Sequence, residues 1–153
     1  MNNQVELYQQ MIIDHNRKPR NFHKMTDPSC FSEGLNPLCG DHISVYLKLD
    51  EDGQKILDVS FDGSGCAISK ASASIMTAEL KGQPVSEARK KFEVFQRVLK
   101  GEVDLQGKEG QNLGRLQVFS GVYKFPARVK CASLAWHALV GAIDRKSQVT
   151  TES

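Results

Sequence analysis

The stretch that decides the fold alternates apolar and polar residues over eight positions, His42-Ile43-Ser44-Val45-Tyr46-Leu47-Lys48-Leu49. A period of two predicts a half-buried strand whose apolar face carries every second residue, starting from Ile43. The polar residues 50–53 then predict a turn. Residues 56–61 alternate again and place three apolar side chains on one face, namely Leu57, Val59 and Phe61. The two segments together predict an antiparallel β-hairpin.

Helical periodicity flanks the hairpin on both sides. Gly82 is a predicted helix end, because glycine readily adopts the left-handed conformation of a C-terminal cap. Pro126 suits the first turn of a helix, where its missing N–H is not needed. Residues 116–123 are ambiguous, with a short helix as one alternative. The longer helices are predicted at residues 5–16, 67–80, 86–99 and 126–144.

The remaining segments are rich in polar residues, glycine and proline, and they predict irregular structure. Residues 17–35 are predicted to form a surface loop, and residues 101–114 a linker-like insertion. The segment from Lys146 onward is predicted to be a polar, frayed tail. A helix, then strands, then further helices predict the α+β class. We expect a small antiparallel β-sheet packed against several α-helices.

Length and composition fit one domain over residues 1–153, because 40% of these residues are apolar. The formal charge of +2 and the scattered basic residues do not favour a nucleic-acid partner. The polar N-terminus lacks the features of a signal peptide, and no apolar run approaches the roughly 20 residues of a membrane span. We expect no membrane association, a cytoplasmic location and reduced thiols rather than disulfides.

Three cysteines and one aspartate are the most informative side chains, Cys39, Asp41, Cys66 and Cys131. Thiolates are soft ligands that suit zinc and iron–sulfur clusters, and three thiolates with a carboxylate make a complete set of four ligands. Gly40 allows the backbone angles that aim its two neighbours at one point. Cys66 and Cys131 lie near predicted helix starts, where the helix dipole favours negative charge.

The four ligands are not chemically equivalent. A carboxylate from Asp41 makes one bond to a metal weaker and more exchangeable than in an all-cysteine site. Cys39 lies on a proline-containing loop, so it is the thiol best placed to leave the metal and act as a nucleophile or acceptor. The spacing alone is weak evidence, because free cysteines are often small buried hydrophobes. From the residues alone, a shared metal site and separate buried cysteines remain equal alternatives, and Cys30 is expected to be a bystander in a polar loop.

Other polar features have simpler explanations. Residues 63–65, Gly-Ser-Gly, are expected to form a strand-to-helix turn, since a phosphate-binding loop needs a longer motif followed by Lys. His42 is expected to solvate a strand end, and His137 to be a packed or surface histidine. A basic cluster after the first helix suits either the helix C-terminus or a docking partner, and it comprises Arg17, Lys18 and Arg20.

Taken together, the motifs resemble those of the U-type iron–sulfur cluster assembly proteins, whose domain has the IscU-like (SufE/NifU-like) fold. The resemblance covers nearly the whole chain. The motifs that carry it are Asp14-His15, Pro19-Arg20-Asn21, Asn36-Pro37-Leu38-Cys39-Gly40-Asp41, Gly63-Ser64-Gly65-Cys66-Ala67-Ile68-Ser69 and Lys130-Cys131-Ala132-Ser133-Leu134-Ala135-Trp136.

Three departures separate this chain from the IscU-like scaffold branch. Lys130 stands where that branch has a histidine before its last cysteine. The stretch over residues 125–130 keeps only one proline of the Leu-Pro-Pro-Val-Lys chaperone-binding motif. Residues 101–122 are similar to a family-specific insertion that the scaffold branch lacks. All three features resemble the SufU branch.

The resemblance implies a zinc ion held by Cys39, Asp41, Cys66 and Cys131. It also implies a partner, a pyridoxal-phosphate cysteine desulfurase of the SufS type, and further partners among downstream iron–sulfur assembly proteins. The implied activity is sulfurtransferase-like: a desulfurase group displaces a zinc ligand, and the freed Cys39 accepts persulfide sulfur. Two alternatives stay open, a scaffold that builds and transfers a [2Fe–2S] cluster on the same ligands, and a purely structural zinc domain.

Overall fold

The chain forms one layer of helices over a four-stranded sheet. The computed structural model describes residues 3–103, 107–108 and 113–151. Its elements in chain order are α1 (Asn3–Arg17), β1 (Cys30–Asn36), β2 (Asp41–Leu49), β3 (Ile56–Ser64), α2 (Ala67–Leu80), α3 (Val85–Leu99), two short 3₁₀ helices (Gly114–Phe119 and Val122–Lys124), α4 (Pro126–Ile143) and β4 (Gln148–Thr150).

The sheet has the strand order β3-β2-β1-β4. Strand β2 is antiparallel to both β1 and β3, and the short β4 runs parallel to β1. The predicted α+β class is therefore confirmed, with a mixed sheet in place of a purely antiparallel one. Within the described residues, no helix is long and apolar enough to span a bilayer.

The predicted hairpin forms from β2 and β3, with one correction. Leu57 was expected on the apolar face with Val59 and Phe61, but it is 49% exposed. The register shifts between Lys48 and Leu49, so that Ile56 rather than Leu57 turns inward and is fully buried. A local irregularity of this kind adds a residue to one strand and reverses the alternation beyond it.

The prediction of a loop over residues 17–35 was wrong at its C-terminal end, where β1 begins at Cys30. Strand β1 carries serine, glutamate and glycine, so its own composition does not favour a strand. Its stability comes from pairing with β2 and from close packing under α4. A Cβ added at Gly34 would lie 3.1 Å from Leu134 Cδ1 and 3.2 Å from Ala138 Cβ, so this strand needs a glycine there.

The prediction of a frayed tail after Lys146 was also wrong. Strand β4 pairs with β1, and the absence of a side chain at Gly141 of α4 leaves room for β4 beside this helix. A Cβ at Gly141 would lie 2.6 Å from Val149 Cγ1 and 2.9 Å from Ser32 Oγ. A polar three-residue strand is held by its neighbours rather than by its own pattern, so its sequence does not reveal it.

The helices follow the predictions closely. Helix α3 begins one residue early, at Val85 after Pro84, and Pro126 occupies the first turn of α4 as expected. Leu113, near the end of the predicted linker-like insertion, is buried instead of exposed. Leu116 and Phe119 of the ambiguous segment 116–123 are also buried, in the first 3₁₀ helix, which agrees with the short-helix alternative. Residues 104–106 and 109–112 of the predicted insertion lie outside the described residues. The largest fully buried side chains include Trp136, Phe61, Phe95 and Phe119.

A buried polar network ties the loop after α1 to α2. Ser74 Oγ accepts the backbone N–H of Arg20 at 2.8 Å and forms a second hydrogen bond of 2.7 Å with His15 Nδ1. Burial lowers the pKa of His15, and the cations Arg20 and Arg115 lower it further, against a smaller opposing effect from Asp14.

Protonation of His15 is therefore expected to destabilise the fold. Since the pKa is lowered on folding, the unfolded chain binds more protons, and stability falls as pH drops below about 6.5. His15→Gln should reduce this slope by up to about 1.4 kcal/mol per pH unit, the value for one proton. Urea unfolding at several pH values measures it, with the exposed His23→Gln as control. An unchanged slope in His15→Gln would show that His15 does not titrate with unfolding.

Candidate metal centre

The predicted ligands lie at one end of the sheet, where three strands and two helices converge. Strand β1 ends at Asn36, the turn 37–40 follows, and Asp41 opens β2 directly opposite Asn36. The backbone N–H of Cys39 donates to the carbonyl of Asn36 at 3.3 Å. Gly40 has φ +72°, in the left-handed region, which agrees with its expected role between the two ligands.

Three of the four predicted ligands come together in this region. The ligand atoms of Cys39, Asp41 and Cys131 all lie within 4.8 Å of one another, and the two sulfur atoms are 3.7 Å apart. Sulfur atoms at about 2.3 Å from a tetrahedral zinc ion are about 3.8 Å apart. The sulfur–sulfur distance thus fits one edge of a tetrahedral metal site without rearrangement of the backbone.

Cys66 lies beside this group rather than within it. It is the N-cap residue of α2, and its backbone N–H donates to Asp41 Oδ1 at 3.0 Å. Its Sγ lies 3.7 Å from Ser69 Oγ, one turn along the helix. A hydrogen bond with Cys66 is also one of the interactions that raise the pKa of Cys131, so the fourth thiol is a neighbour of the other three ligands.

The carboxylate of Asp41 is almost fully occupied by protein donors. It is 3% exposed and accepts Cys66 N–H on Oδ1. On Oδ2 it accepts Ser69 Oγ–H at 2.8 Å and Asn36 Nδ2–H at 3.2 Å. A carboxylate has about four acceptor sites, so about one is left for a metal ion. Asp41 would therefore be a weak metal ligand, held in place mainly by the protein.

The thiols differ in their access to solvent. Cys39 and Cys66 are exposed, whereas Cys131 is buried. Burial raises the pKa of Cys131, and hydrogen bonds and negative charge at Cys66 and Asp41 raise it further. This thiol keeps its proton unless a cation lies beside it, because a bound metal favours the thiolate. An incoming molecule can reach Cys39 and Cys66 but not Cys131.

The glycines before Cys66 let the chain pass close to the site. Gly63 has φ +126°, and a Cβ there would lie 2.0 Å from the carbonyl oxygen of His42. A Cβ on Gly65 would lie 3.0 Å from Asp41 Oδ1 and 3.2 Å from Ser69 Cβ. The segment joins β3 to α2, so the predicted strand-to-helix turn is confirmed.

Two residues at the site were not predicted to act there, Asn36 and Ser69. Both are buried and both donate to Asp41. Ser69 is three residues after Cys66 on a helix, which places it on the same side, and this spacing was available in the sequence. The role of Asn36 depends on pairing between β1 and β2, which the sequence did not reveal.

Other candidates lie away from the ligand group. Cys30 is a buried residue at the start of β1, not part of a polar loop, and burial raises its pKa. His42 is exposed and its Nε2 lies 3.8 Å from Glu33 Oε2. His137 packs edge-on against Phe92 at 5.3 Å between ring centroids, which agrees with a packed histidine.

The fold and the site define a class: small α+β proteins that hold three thiols and a carboxylate where a mixed sheet meets two helix N-termini. A family model described as the NifU-like N terminal domain matches residues 7–132, and the chain belongs to this family. This confirms the family resemblance of the motifs.

The relatives include proteins with two kinds of name. The chain is 41% identical over 133 residues to "Zinc-dependent sulfurtransferase SufU" of Bacillus subtilis, covering 87% of this chain and 86% of that one. It is 40% identical over 141 residues to "Iron-sulfur cluster assembly scaffold protein IscU" of Streptococcus pyogenes, covering 92% of this chain and 85% of that one.

A solved structure supports the same fold. It comes from Fervidobacterium islandicum and is described as a putative iron–sulfur cluster assembly scaffold protein for the SUF system. It matches with a TM-score of 0.80 and 32% identity, over 88% of this chain and 94% of that chain.

Proposed function

We propose that this protein is a zinc-dependent sulfurtransferase of iron–sulfur cluster assembly, which accepts persulfide sulfur on Cys39. The observation that carries the proposal is the asymmetry of the site. One thiol is exposed on a turn, one thiol and the carboxylate are buried, and all three lie within 4.8 Å. The name of the Bacillus subtilis relative supports the same activity.

The residues present fit a zinc ion. Cys39, Asp41, Cys66 and Cys131 would hold it, since three thiolates and a carboxylate suit zinc and the first and last sulfurs already have a tetrahedral spacing of 3.7 Å. When bound, zinc keeps its cysteine ligands deprotonated at neutral pH and therefore ready to react. Because these four cysteine and aspartate ligands leave no open position, one protein ligand must dissociate before the site can react.

Cys39 is the ligand best able to dissociate. It lies in the turn 37–40, outside any helix or strand, and its side chain is exposed. Cys131 lies inside α4 and is buried, and Cys66 is fixed at the start of α2 by its backbone N–H to Asp41. Movement of Cys39 thus requires rearrangement of one short turn only, whereas movement of the others disturbs a helix.

The transfer itself is an exchange between sulfur atoms. The Cys39 thiolate attacks the outer sulfur of a persulfide carried by the desulfurase. The sulfur–sulfur bond of the donor breaks, its electron pair leaves on the donor cysteine as a thiolate, and Cys39 becomes the persulfide. No net oxidation or proton transfer is needed. The donor we propose is a pyridoxal-phosphate cysteine desulfurase of the SufS type, and downstream assembly proteins would take the sulfur.

Exposed side chains on the turn of Cys39 and at the start of α4 suit a protein partner. Leu38, next to Cys39, is 63% exposed, and Phe125 before α4 is 49% exposed. The Arg128 guanidinium lies 4.6 Å from the Phe125 ring centre, which combines apolar area with positive charge. Exposed aromatic and arginine side chains are typical of protein interfaces.

A scaffold for a [2Fe–2S] cluster is the second candidate function. The same thiols could ligate iron, and the names of the Streptococcus pyogenes and Fervidobacterium islandicum proteins support it. Metal analysis of the purified protein, combined with a desulfurase assay, separates the two. A sulfurtransferase should contain about one zinc and stimulate the desulfurase. Absence of zinc and of stimulation, with a stable and transferable cluster after anaerobic reconstitution, would support the scaffold instead.

A further inference from the structure

We infer that Asn36 is a positioning residue for the metal site, and that Thr151 on the C-terminal segment anchors the other end of its amide. Asn36 would hold Asp41 and Cys131 at the correct separation and donate hydrogen bonds to both. The C-terminal return of the chain would thereby influence the affinity for metal. This inference rests on the proposed function, because it assumes that these side chains ligate zinc.

The amide of Asn36 bridges two predicted ligands on different elements. It is the last residue of β1 and is completely buried. Its Nδ2 lies 3.2 Å from Asp41 Oδ2 on β2 and 3.7 Å from Cys131 Sγ on α4. An amide nitrogen carries two hydrogens, so each ligand receives one. A single side chain therefore fixes the distance between two ligands that are 90 residues apart in sequence (131 − 41).

The other end of the amide is fixed by the C-terminal segment. Thr151 Oγ1 donates to Asn36 Oδ1 at 3.1 Å, and Thr151 N–H donates to the Leu35 carbonyl at 3.1 Å. If the amide were reversed, its oxygen would face the carboxylate of Asp41, and both groups would be acceptors. The carboxylate of Asp41, which only accepts, therefore selects the orientation in which the N–H groups face the ligands, and Thr151 Oγ1 anchors the amide at its oxygen end.

In this orientation, the hydrogen bonds from Asn36 reduce the electrostatic repulsion among the negatively charged ligands. Three thiolates and one carboxylate carry four negative charges, against two positive charges on zinc. Hydrogen bonds from neutral donors reduce the repulsion among these ligands without adding a competing cation. Asn36 donates to one carboxylate and one thiolate, so its loss should weaken zinc binding while leaving all four ligands in place.

Zinc affinity measured by competition with a chelator tests the inference. Asn36→Ala is expected to lower the affinity about 10–100-fold, the usual effect of losing an outer-shell partner. Thr151→Val, which leaves β1 unchanged, should lower it by a smaller factor. Asn21→Ala is the matched control. It removes a hydrogen bond of 3.0 Å to Thr77, in the last turn of α2 and thus at the opposite end from Cys66.

A second readout is the absorption spectrum of the cobalt-substituted protein. The sulfur-to-cobalt charge-transfer band should shift in Asn36→Ala, because one thiolate loses a hydrogen bond, and should be unchanged in Asn21→Ala. If both asparagine variants lose affinity in proportion to their loss of thermal stability, Asn36 is only structural and the inference is wrong. Native affinity in Asn36→Ala would also overturn it. Failure of the native chain to bind zinc would overturn both the inference and the proposed function.

Discussion

Replacing Cys39 with alanine is expected to reduce desulfurase stimulation to the rate of the desulfurase alone. Stimulation should be lost completely, because Cys66 is held at the start of α2 by its backbone N–H to Asp41 and Cys131 is buried. The fold should be little affected, since the Cys39 side chain is exposed. Sulfide release from cysteine, measured with and without the variant, gives the result.

Cys30→Ala is the matched control for this experiment. Cys30 is a buried thiol at the start of β1, whereas the site lies beyond the end of that strand at Asn36. This variant should lose some stability but stimulate the desulfurase as the native protein does. Normal stimulation by Cys39→Ala would exclude Cys39 as the sulfur acceptor. Loss of stimulation in both variants would point to a general defect in folding.

Replacing Asp41 with alanine is expected to impair stability and zinc binding together. The backbone N–H of Cys66 would lose its acceptor, at a cost of about 1–3 kcal/mol. Asn36 and Ser69 would each lose one acceptor and keep one on Cys131. Zinc affinity should fall by more than the roughly 10–100-fold of an outer-shell change, because a ligand is lost. Sulfur transfer should fall or change in rate. Urea unfolding, chelator competition and the desulfurase assay measure the three effects.

Ser69→Ala separates these effects. It removes the 2.8 Å hydrogen bond to Asp41 Oδ2 but keeps the ligand, so it should cost about 1 kcal/mol and affect sulfur transfer much less. A purely structural zinc site makes a different prediction for Asp41→Ala. It would lose stability, while no partner would respond to either the native protein or the variant. Unchanged desulfurase stimulation by Asp41→Ala would contradict a role for Asp41 in transfer.

The sequence was sufficient for the elements that carry their own periodicity. The alternation from Ile43 predicted β2, and the helical spacing predicted α2, α3 and α4 almost to the residue. Strands β1 and β4 were missed because β1 carries few β-forming residues and β4 has only three residues. Both are stabilised by strands and helices distant in sequence. The irregularity opposite Leu49 likewise depends on pairing geometry rather than on local pattern.

For the site as well, residue types could be read from the sequence, whereas contacts between distant segments could not. The residue types made a shared metal site one of two equal alternatives, and the family resemblance favoured it. The structure placed Cys39, Asp41 and Cys131 together and Cys66 beside them. What the sequence could not supply was the network of donors around the carboxylate, since Asn36 reaches Cys131 only after β1 has paired and α4 has packed over the sheet. Those contacts are set by the tertiary fold.

The most direct test locates the transferred sulfur after a single turnover. The zinc-loaded native protein is mixed with the desulfurase and one equivalent of cysteine, its thiols and persulfides are alkylated, and its peptides are identified by mass spectrometry. The account predicts one additional sulfur atom on the peptide that carries Cys39. A persulfide found only on Cys66 or Cys131, or none on any cysteine while the desulfurase is stimulated, would contradict it.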